Sequence, residues 1–136
     1  MKAIQFIAPG HPPELGGVDK PARGPGRVLL KGPAAGACHS DDFVLNAPAG
    51  AFDYPLPMTL GHEGVGVIAE VGSGVRTVSE GTAVAVYGPW GCGTCYRCAE
   101  GQENYCLNAA ELSITPPGLG TDGAMAEYLL VDDPRH

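Results

Sequence analysis

The chain has 136 residues, of which 44% are hydrophobic, a length and composition typical of one globular domain with a modest core. Its formal net charge is −7 and its eight Lys and Arg residues are scattered, which argues against a nucleic-acid partner. No apolar run approaches the roughly 20 residues of a membrane span, and the N-terminal stretch MKAIQFIAPG lacks the apolar core of a signal peptide. We therefore expect a soluble, cytoplasmic protein with reduced cysteines.

The polarity pattern predicts a mainly β fold of short strands joined by tight turns, because 21 Gly and 13 Pro residues punctuate the apolar runs. In chain order it predicts a strand at KAIQFI (2–7), a strand from near Arg27, a short helix at HSDDFVLN (39–46) with Ser40 as N-cap, and strands at VGVIAEVG (65–72), TAVAVY (82–87, short and buried) and AEYLLVDD (126–133). Within LLKGPAAG, Pro33 cannot donate to a strand ladder, so an edge or a bulge is predicted there.

Four of the five cysteines lie in the stretch GCGTCYRCAEGQENYC, at residues 91–106. Their spacing, C-x2-C-x2-C-x7-C, is typical of a structural zinc site, in which four thiolates close a tetrahedral shell. Disulfides would need an oxidising compartment, and a bacterial iron–sulfur run has a shorter last gap followed by proline. We therefore predict a structural zinc lobe at 91–106, with these ligands: Cys92, Cys95, Cys98 and Cys106.

The fifth cysteine, Cys38, lies far upstream in GACHSDD, and His62 lies in TLGHEGVGV. A zincin site is excluded, because H-E-x-x-H would need a histidine where Gly66 stands. From spacing alone two interpretations stay open. Cys38 and His62 are either ordinary packing residues or two ligands of an open, catalytic zinc.

Two glycine-rich strings match a dinucleotide-binding fingerprint by letter, GVGVIA (64–69) and GLGTDG (118–123). That fingerprint works only between a buried strand and a helix. The first string continues as a β pattern, and the second follows ITPP, which cannot be a central parallel strand. We therefore predict that this chain contains no Rossmann domain.

Taken together, GHEGVGVIAEVGSGV, the four-cysteine lobe and GACHSDD resemble the zinc-dependent medium-chain alcohol dehydrogenases. VAVYGPWGCGTC and AAELSITPPGLG are most similar to bacterial members that act on secondary alcohols and ketones. The resemblance covers essentially the whole chain. It implies a GroES-like, partly open β-barrel that precedes a Rossmann domain binding NAD or NADP, and a reaction of zinc-assisted hydride transfer.

The resemblance also implies the roles of the catalytic residues. Cys38 and His62 ligate the catalytic zinc, and Glu63 is able to replace or assist a ligand. Ser40 matches the hydroxyl that bonds the substrate alcohol and begins its proton relay. Asp41 matches an acid that orients the histidine ligand, as metal-bound histidine generally requires.

Further positions follow from the same resemblance. His39 matches a residue that contacts the coenzyme pyrophosphate. Tyr54, Trp90 and Leu119 line the substrate pocket or simply pack in the core. Phe43 stands where some members carry a histidine that ends the proton relay, so the proton must leave by another route.

The resemblance finally implies that residues 1–136 are an incomplete GroES-like catalytic domain. The third protein ligand of the catalytic zinc, the coenzyme domain and a segment that completes the barrel would lie beyond His136. We therefore expect an alcohol or ketone substrate, no turnover by this chain alone, and a tendency to self-associate. The alternative is a standalone zinc-binding or interaction domain without dehydrogenase activity.

Overall fold

A computed structural model describes the backbone of residues 1–136 and every side chain except that of Pro33. The elements are mainly strands, with short helices. The strands are β1 (Lys2–Phe6), β2 (Glu14–Gly17), β3 (Val28–Gly36), β4 (Met58–Thr59), β5 (Glu63–Val71), β6 (Ala83–Ala85) and β7 (Tyr128–Val131). The helices are α1 (His39–Asn46), α2 (Tyr96–Ala99) and a 3₁₀ turn at Glu103–Tyr105.

Two antiparallel sheets form a curled, partly open barrel. One sheet has the order β6-β5-β3-β7, and the other has the order β2-β1-β4. They are joined where Ala3 bridges Ala126 and where the Ile4 N–H donates to the Met125 carbonyl at 2.8 Å. The mainly β prediction is confirmed. None of the described helices has both the length and the apolar character needed to cross a membrane.

The bulge predicted around Pro33 is present in β3. The pairing of β3 with β5 shifts register between Lys31 and Ala34, so the two residues between them lie outside the regular ladder. The Gly32 N–H donates to the Glu127 carbonyl at 2.9 Å, and a Cβ on Gly32 would meet the Ala126 carbonyl at 2.9 Å. The backbone therefore approaches a neighbouring segment too closely there for a side chain.

A core on the four-stranded sheet fixes β5, whose first residue follows His62 of the candidate site. Val28, Leu30, Ile68, Leu129 and Val131 are nearly fully buried in its larger cluster. Each such side chain contributes about 1.5–3 kcal/mol through the area it removes from water.

A second cluster anchors helix α1. Val44 is buried together with Phe6, Met58 and Leu60, which come from β1, β4 and the loop before β5. The contacts press the helix against the smaller sheet. The start of α1 and the start of β5 are thereby held at one end of the barrel.

The structure corrects three details of the prediction. Ser40 is not the N-cap of α1, because that position belongs to Cys38, whose sulfur accepts the Ser40 N–H at 3.3 Å. TAVAVY forms only the three-residue β6, in which Ala83 and Ala85 are exposed, so it is not a buried strand. Strand β2, with the sequence ELGG, was missed because it has neither alternation nor β-branched residues.

Candidate metal centres

The first candidate centre is the tetracysteine lobe, which consists of residues 91–106 and protrudes between β6 and β7. The four Sγ atoms all lie within 4.8 Å of one another. The Cys95–Cys98 distance is 3.5 Å and the Cys92–Cys98 distance is 3.9 Å. Tetrahedral zinc with bonds of about 2.3 Å places its sulfurs about 3.8 Å apart, so the donor set fits this ion.

Glycines let the chain turn around the four sulfurs. Gly93 adopts a φ of 70° between the first two cysteines, a conformation that strains other residues. A Cβ on Gly91 would lie 2.7 Å from the Cys98 sulfur. These glycines therefore give the chain room to wrap a metal ion in this lobe.

Hydrogen bonds distinguish Cys92 from the other thiols. Its sulfur faces the Thr94 hydroxyl at 3.4 Å, the Thr94 and Cys95 N–H groups, and the Asn108 amide at 3.5 Å. The Thr94 hydroxyl, helped by backbone N–H groups, lowers the pKa of Cys92 to about 5. Burial raises the pKa of Cys98 to about 12. Cys92 is thus a thiolate at neutral pH by itself, whereas Cys98 would need a cation among the sulfurs to become one.

Thr94 and Asn108 were not predicted as parts of the centre. Thr94 lies between the ligands Cys92 and Cys95 in the sequence. A hydroxyl at that position could have indicated a hydrogen bond to a ligand sulfur. Asn108 lies two residues after the last ligand, and its contact depends on the turn that follows Cys106. No sequence pattern marks it.

The second candidate centre joins residues that are 24 positions apart. The Cys38 sulfur lies 3.1 Å from Nε2 of His62. Cys38 is exposed at the start of α1, and His62 directly precedes β5. The structure therefore brings together the two residues for which spacing alone left packing and ligation open.

Asp41 supports both of these residues. Its Oδ2 accepts the Cys38 N–H at 2.9 Å and completes the capping box of α1. Its Oδ1 lies 3.6 Å from His62 Nδ1, and both of these atoms are buried without a partner among the described groups. This pairing favours a proton on Nδ1 and leaves the Nε2 lone pair facing Cys38. The donor set thus fits a zinc-type cation at Cys38 and His62.

Glu63 lies next to this centre but is held less closely. Its Oε1 is 3.8 Å from His62 Nε2, and its side chain is 53% exposed. The group whose ligand atoms all lie within 4.8 Å of one another contains Asp41 and not Glu63. Because Asp41 faces Nδ1 while Glu63 faces Nε2, we regard Glu63 as the carboxylate on the ligand side and Asp41 as the residue that orients the ring.

The remaining predicted residues surround the centre. His39 is exposed on the first turn of α1, and Ser40 is half-buried next to Cys38. Phe43 is 65% exposed on the same helix and packs edge-on against Phe52 at 5.7 Å. Tyr54 stacks on Phe52 at 4.8 Å, and burial raises the pKa of its hydroxyl.

A cavity of about 370 Å³ lies between the two centres. It is lined by His62 on one side and by Cys106 of the lobe on the other, with Trp90 and Leu119 among its walls. Trp90 and Leu119 therefore line a cavity, and Trp90, which is 7% exposed, is also part of the core. Tyr54 does not line this cavity and belongs to the packing around α1.

Comparison with known proteins gives consistent results. A family profile described as "Alcohol dehydrogenase GroES-like domain" matches residues 24–135. An NAD-dependent alcohol dehydrogenase of Saccharolobus solfataricus is 42% identical over 140 residues, covering 96% of this chain and 38% of the relative. An L-threonine 3-dehydrogenase of Pyrococcus horikoshii is 38% identical and is covered over 36% of its length.

Solved structures agree with this relationship. A thermostable alcohol dehydrogenase from Pyrobaculum aerophilum is similar with a TM-score of 0.84 and 35% identity, covering 96% of this chain and 38% of that one. Its cobalt- and zinc-bound form matches with a TM-score of 0.83. The chain spans less than two fifths of the length of these relatives. The profile match, the fold and the two cysteine-containing centres together place this chain in the alcohol dehydrogenase GroES-like domain family.

Proposed function

We propose that residues 1–136 form the catalytic-domain portion of an NAD- or NADP-dependent zinc alcohol dehydrogenase, with the tetracysteine lobe as its structural zinc site. The observation that carries the proposal is the 3.1 Å approach of Cys38 Sγ to His62 Nε2 beside a cavity of about 370 Å³. His62 lines this cavity, and a metal ligand in a cavity wall suits catalysis, because a substrate must reach the metal.

The residues around the pair have separable tasks. When bound, zinc supplies Lewis-acid chemistry that polarises the oxygen of an alcohol or a ketone. Cys38 and His62 hold the metal, and Asp41 keeps the imidazole in the tautomer that leaves Nε2 free to bind it. Glu63 offers a carboxylate oxygen on the same side. Ser40 Oγ takes up the proton of the substrate hydroxyl and passes it toward solvent.

The coenzyme completes the reaction. A nicotinamide coenzyme would supply the acceptor for the hydride of the substrate carbon, and a Rossmann domain like that of the family would hold it in place. His39 is exposed on the first turn of α1, where it would contact the coenzyme pyrophosphate. The apolar walls contributed by Ile114, Pro116 and Leu119 favour a secondary alcohol or ketone of moderate size.

The setting of the enzyme is part of the proposal. All five cysteines are free thiols, which supports a reducing, cytoplasmic location. Self-association of the chain into a homo-oligomer is also part of the proposal, with the exposed Phe43 at the contact. Residues 1–136 alone do not hold a nicotinamide, so we expect no turnover from the isolated chain.

The test is a chimera in which this chain replaces the matching part of the relative that is 42% identical. NAD and NADP reduction are measured with a secondary alcohol, and the zinc content is measured by elemental analysis. Ser40→Ala is expected to lower the rate about 100-fold or more at unchanged zinc content. Cys38→Ala is expected to lose both activity and one zinc.

The matched control is Ser79→Ala, which removes an exposed hydroxyl far from both centres and is expected to leave the rate unchanged. A folded chimera with two zincs per chain that reduces neither coenzyme would contradict the proposal. It would favour the alternative, a zinc-binding domain without dehydrogenase activity.

A further inference from the structure

The segment after β7, residues 132–136, returns to the base of the tetracysteine lobe. The His136 ring stacks on Trp90 with centroids 5.1 Å apart, and its Nε2 faces the Gly91 N–H at 3.3 Å. The His136 carbonyl accepts the Tyr87 N–H at 2.9 Å. These contacts dock the segment onto the residues that immediately precede Cys92.

Arg135 is the residue of this segment that reaches the cysteine loop. Its guanidinium lies directly over Gly93, so that a Cβ at Gly93 would overlap the guanidinium atoms. The Gly93 backbone in turn faces the Cys98 sulfur and opposes the rise in the pKa of that thiol. The cation therefore lies over the backbone of the glycine that faces the Cys98 sulfur.

Asp133 fixes the orientation of this cation. It accepts from Arg135 Nε at 2.9 Å and from Nη2 at 2.5 Å, and it also accepts the Arg135 N–H at 3.0 Å. The atom nearest the Gly93 Cβ position is the remaining one, Nη1. The ion pair thus acts as an oriented dipole whose positive end points to the lobe.

A compensating charge is needed there. Four thiolates around Zn²⁺ carry a net charge of −2, and Glu103 adds a carboxylate nearby. Asp133 is the main cause of the raised Arg135 pKa, and the negative charges of Cys98 and Glu103 raise it further. No other Lys or Arg among the described side chains is placed over the cysteine loop in this way, since Arg97 bonds Gln102 and lies near Tyr96.

We propose that Arg135 is a positioning residue of the tetracysteine zinc centre, which retains the metal by supplying positive charge over the Cys92–Cys95 loop. The inference rests on the structural zinc site proposed above. Arg135 lies outside the lobe, 29 positions after the last cysteine ligand, and the inference gives it a role in holding the metal.

The experiment measures how fast zinc leaves the lobe. Cys38→Ser is introduced throughout so that only the lobe zinc is observed, and release into excess EDTA is followed with a chromogenic zinc indicator. The Arg135→Gln chain is expected to release zinc about tenfold faster than the parent, because removing groups that support metal ligands generally weakens metal binding. Arg135→Lys keeps the charge but loses the paired hydrogen bonds to Asp133. Its release rate is therefore expected to lie between those of the parent and Arg135→Gln. Arg76→Gln removes an exposed charge elsewhere and is the matched control.

Salt separates a charge effect from simple packing. Raising NaCl from about 20 mM to about 500 mM is expected to shrink the rate ratio of Arg135→Gln to the parent, because the cation is partly exposed and is screened. Equal rates for Arg135→Gln and the parent, or for Arg135→Gln and Arg135→Lys at every salt concentration, would overturn the role of Arg135 alone. A parent chain that holds no lobe zinc would overturn the zinc site as well.

Discussion

Asp41→Asn is the substitution that most directly probes how the fold prepares the Cys38 centre. The asparagine has the shape of the aspartate, and its amide oxygen can still accept the Cys38 N–H, which the carboxylate accepts at 2.9 Å. Its NH₂ group then faces His62 Nδ1, 3.6 Å from the present Oδ1. An NH₂ at this place favours an imidazole with its proton on Nε2, the nitrogen that faces Cys38.

The two effects of Asp41→Asn have different sizes. Because the cap interaction is kept, the free energy of unfolding is expected to fall by less than about 1 kcal/mol. Metal binding is affected instead, because a proton on Nε2 of His62 blocks the nitrogen that would bind the metal. Removing the carboxylate partner of a histidine ligand weakens metal affinity by about 10- to 100-fold. Asp41→Ala also loses the cap and leaves the Cys38 N–H unsatisfied, so its unfolding free energy is expected to fall by about 1–2 kcal/mol.

The assay titrates the second zinc equivalent per chain against a competing chelator, with unfolding in urea followed in parallel. The matched control is Asp42→Asn, which removes the same charge from the same helical turn at an exposed position. The control is expected to bind zinc like the parent. An Asp41→Asn chain that binds its second zinc as tightly as the Asp42→Asn chain would refute the tautomer argument.

Three further predictions concern the lobe, the core and acid stability. Cys98→Ser is expected to lose one zinc per chain and to loosen residues 91–106 while the barrel strands persist; elemental analysis and amide exchange check this. Leu29→Ala, at a side chain that is 0% exposed, is expected to lower the unfolding free energy by about 2–5 kcal/mol in urea. Arg135 lowers the pKa of Asp133, so this pair stabilises the fold above the usual aspartate pKa and stops doing so as the pH falls through the lowered value. Asp133→Asn is therefore expected to flatten the loss of stability in acid, measured as melting temperature against pH.

Local patterns predicted the longer strands of this fold. KAIQFI and VGVIAEVG alternate or are rich in β-branched residues, and they form β1 and β5. Strands β2 and β4 escaped prediction because ELGG has little β character and Met58–Thr59 is held by its pairing with β1. Sequence periodicity carries no information about a two-residue strand that depends on its partner.

The two candidate centres differ in how far the sequence reveals them. The lobe is contained in sixteen residues, so the spacing of its cysteines is itself the geometric signal. Cys38 and His62 meet only because α1 is anchored through Val44 beside the start of β5, which spacing does not encode. Arg135 lies even farther along the sequence from the cysteines that it faces. Its position over Gly93 depends on the return of the chain after β7.

The cavity between the two centres has walls of different origin. His62 belongs to the barrel, whereas Glu103, Asn104 and Cys106 belong to the lobe. Substitutions in the lobe can therefore change the size of this space while Cys38, at the N-cap of α1, and His62, directly before β5, stay as they are. Under the proposed function, substrate selection is adjustable through a segment that takes no part in the chemistry. It also depends on metal content, because a lobe that loses its zinc no longer holds the shape of that wall.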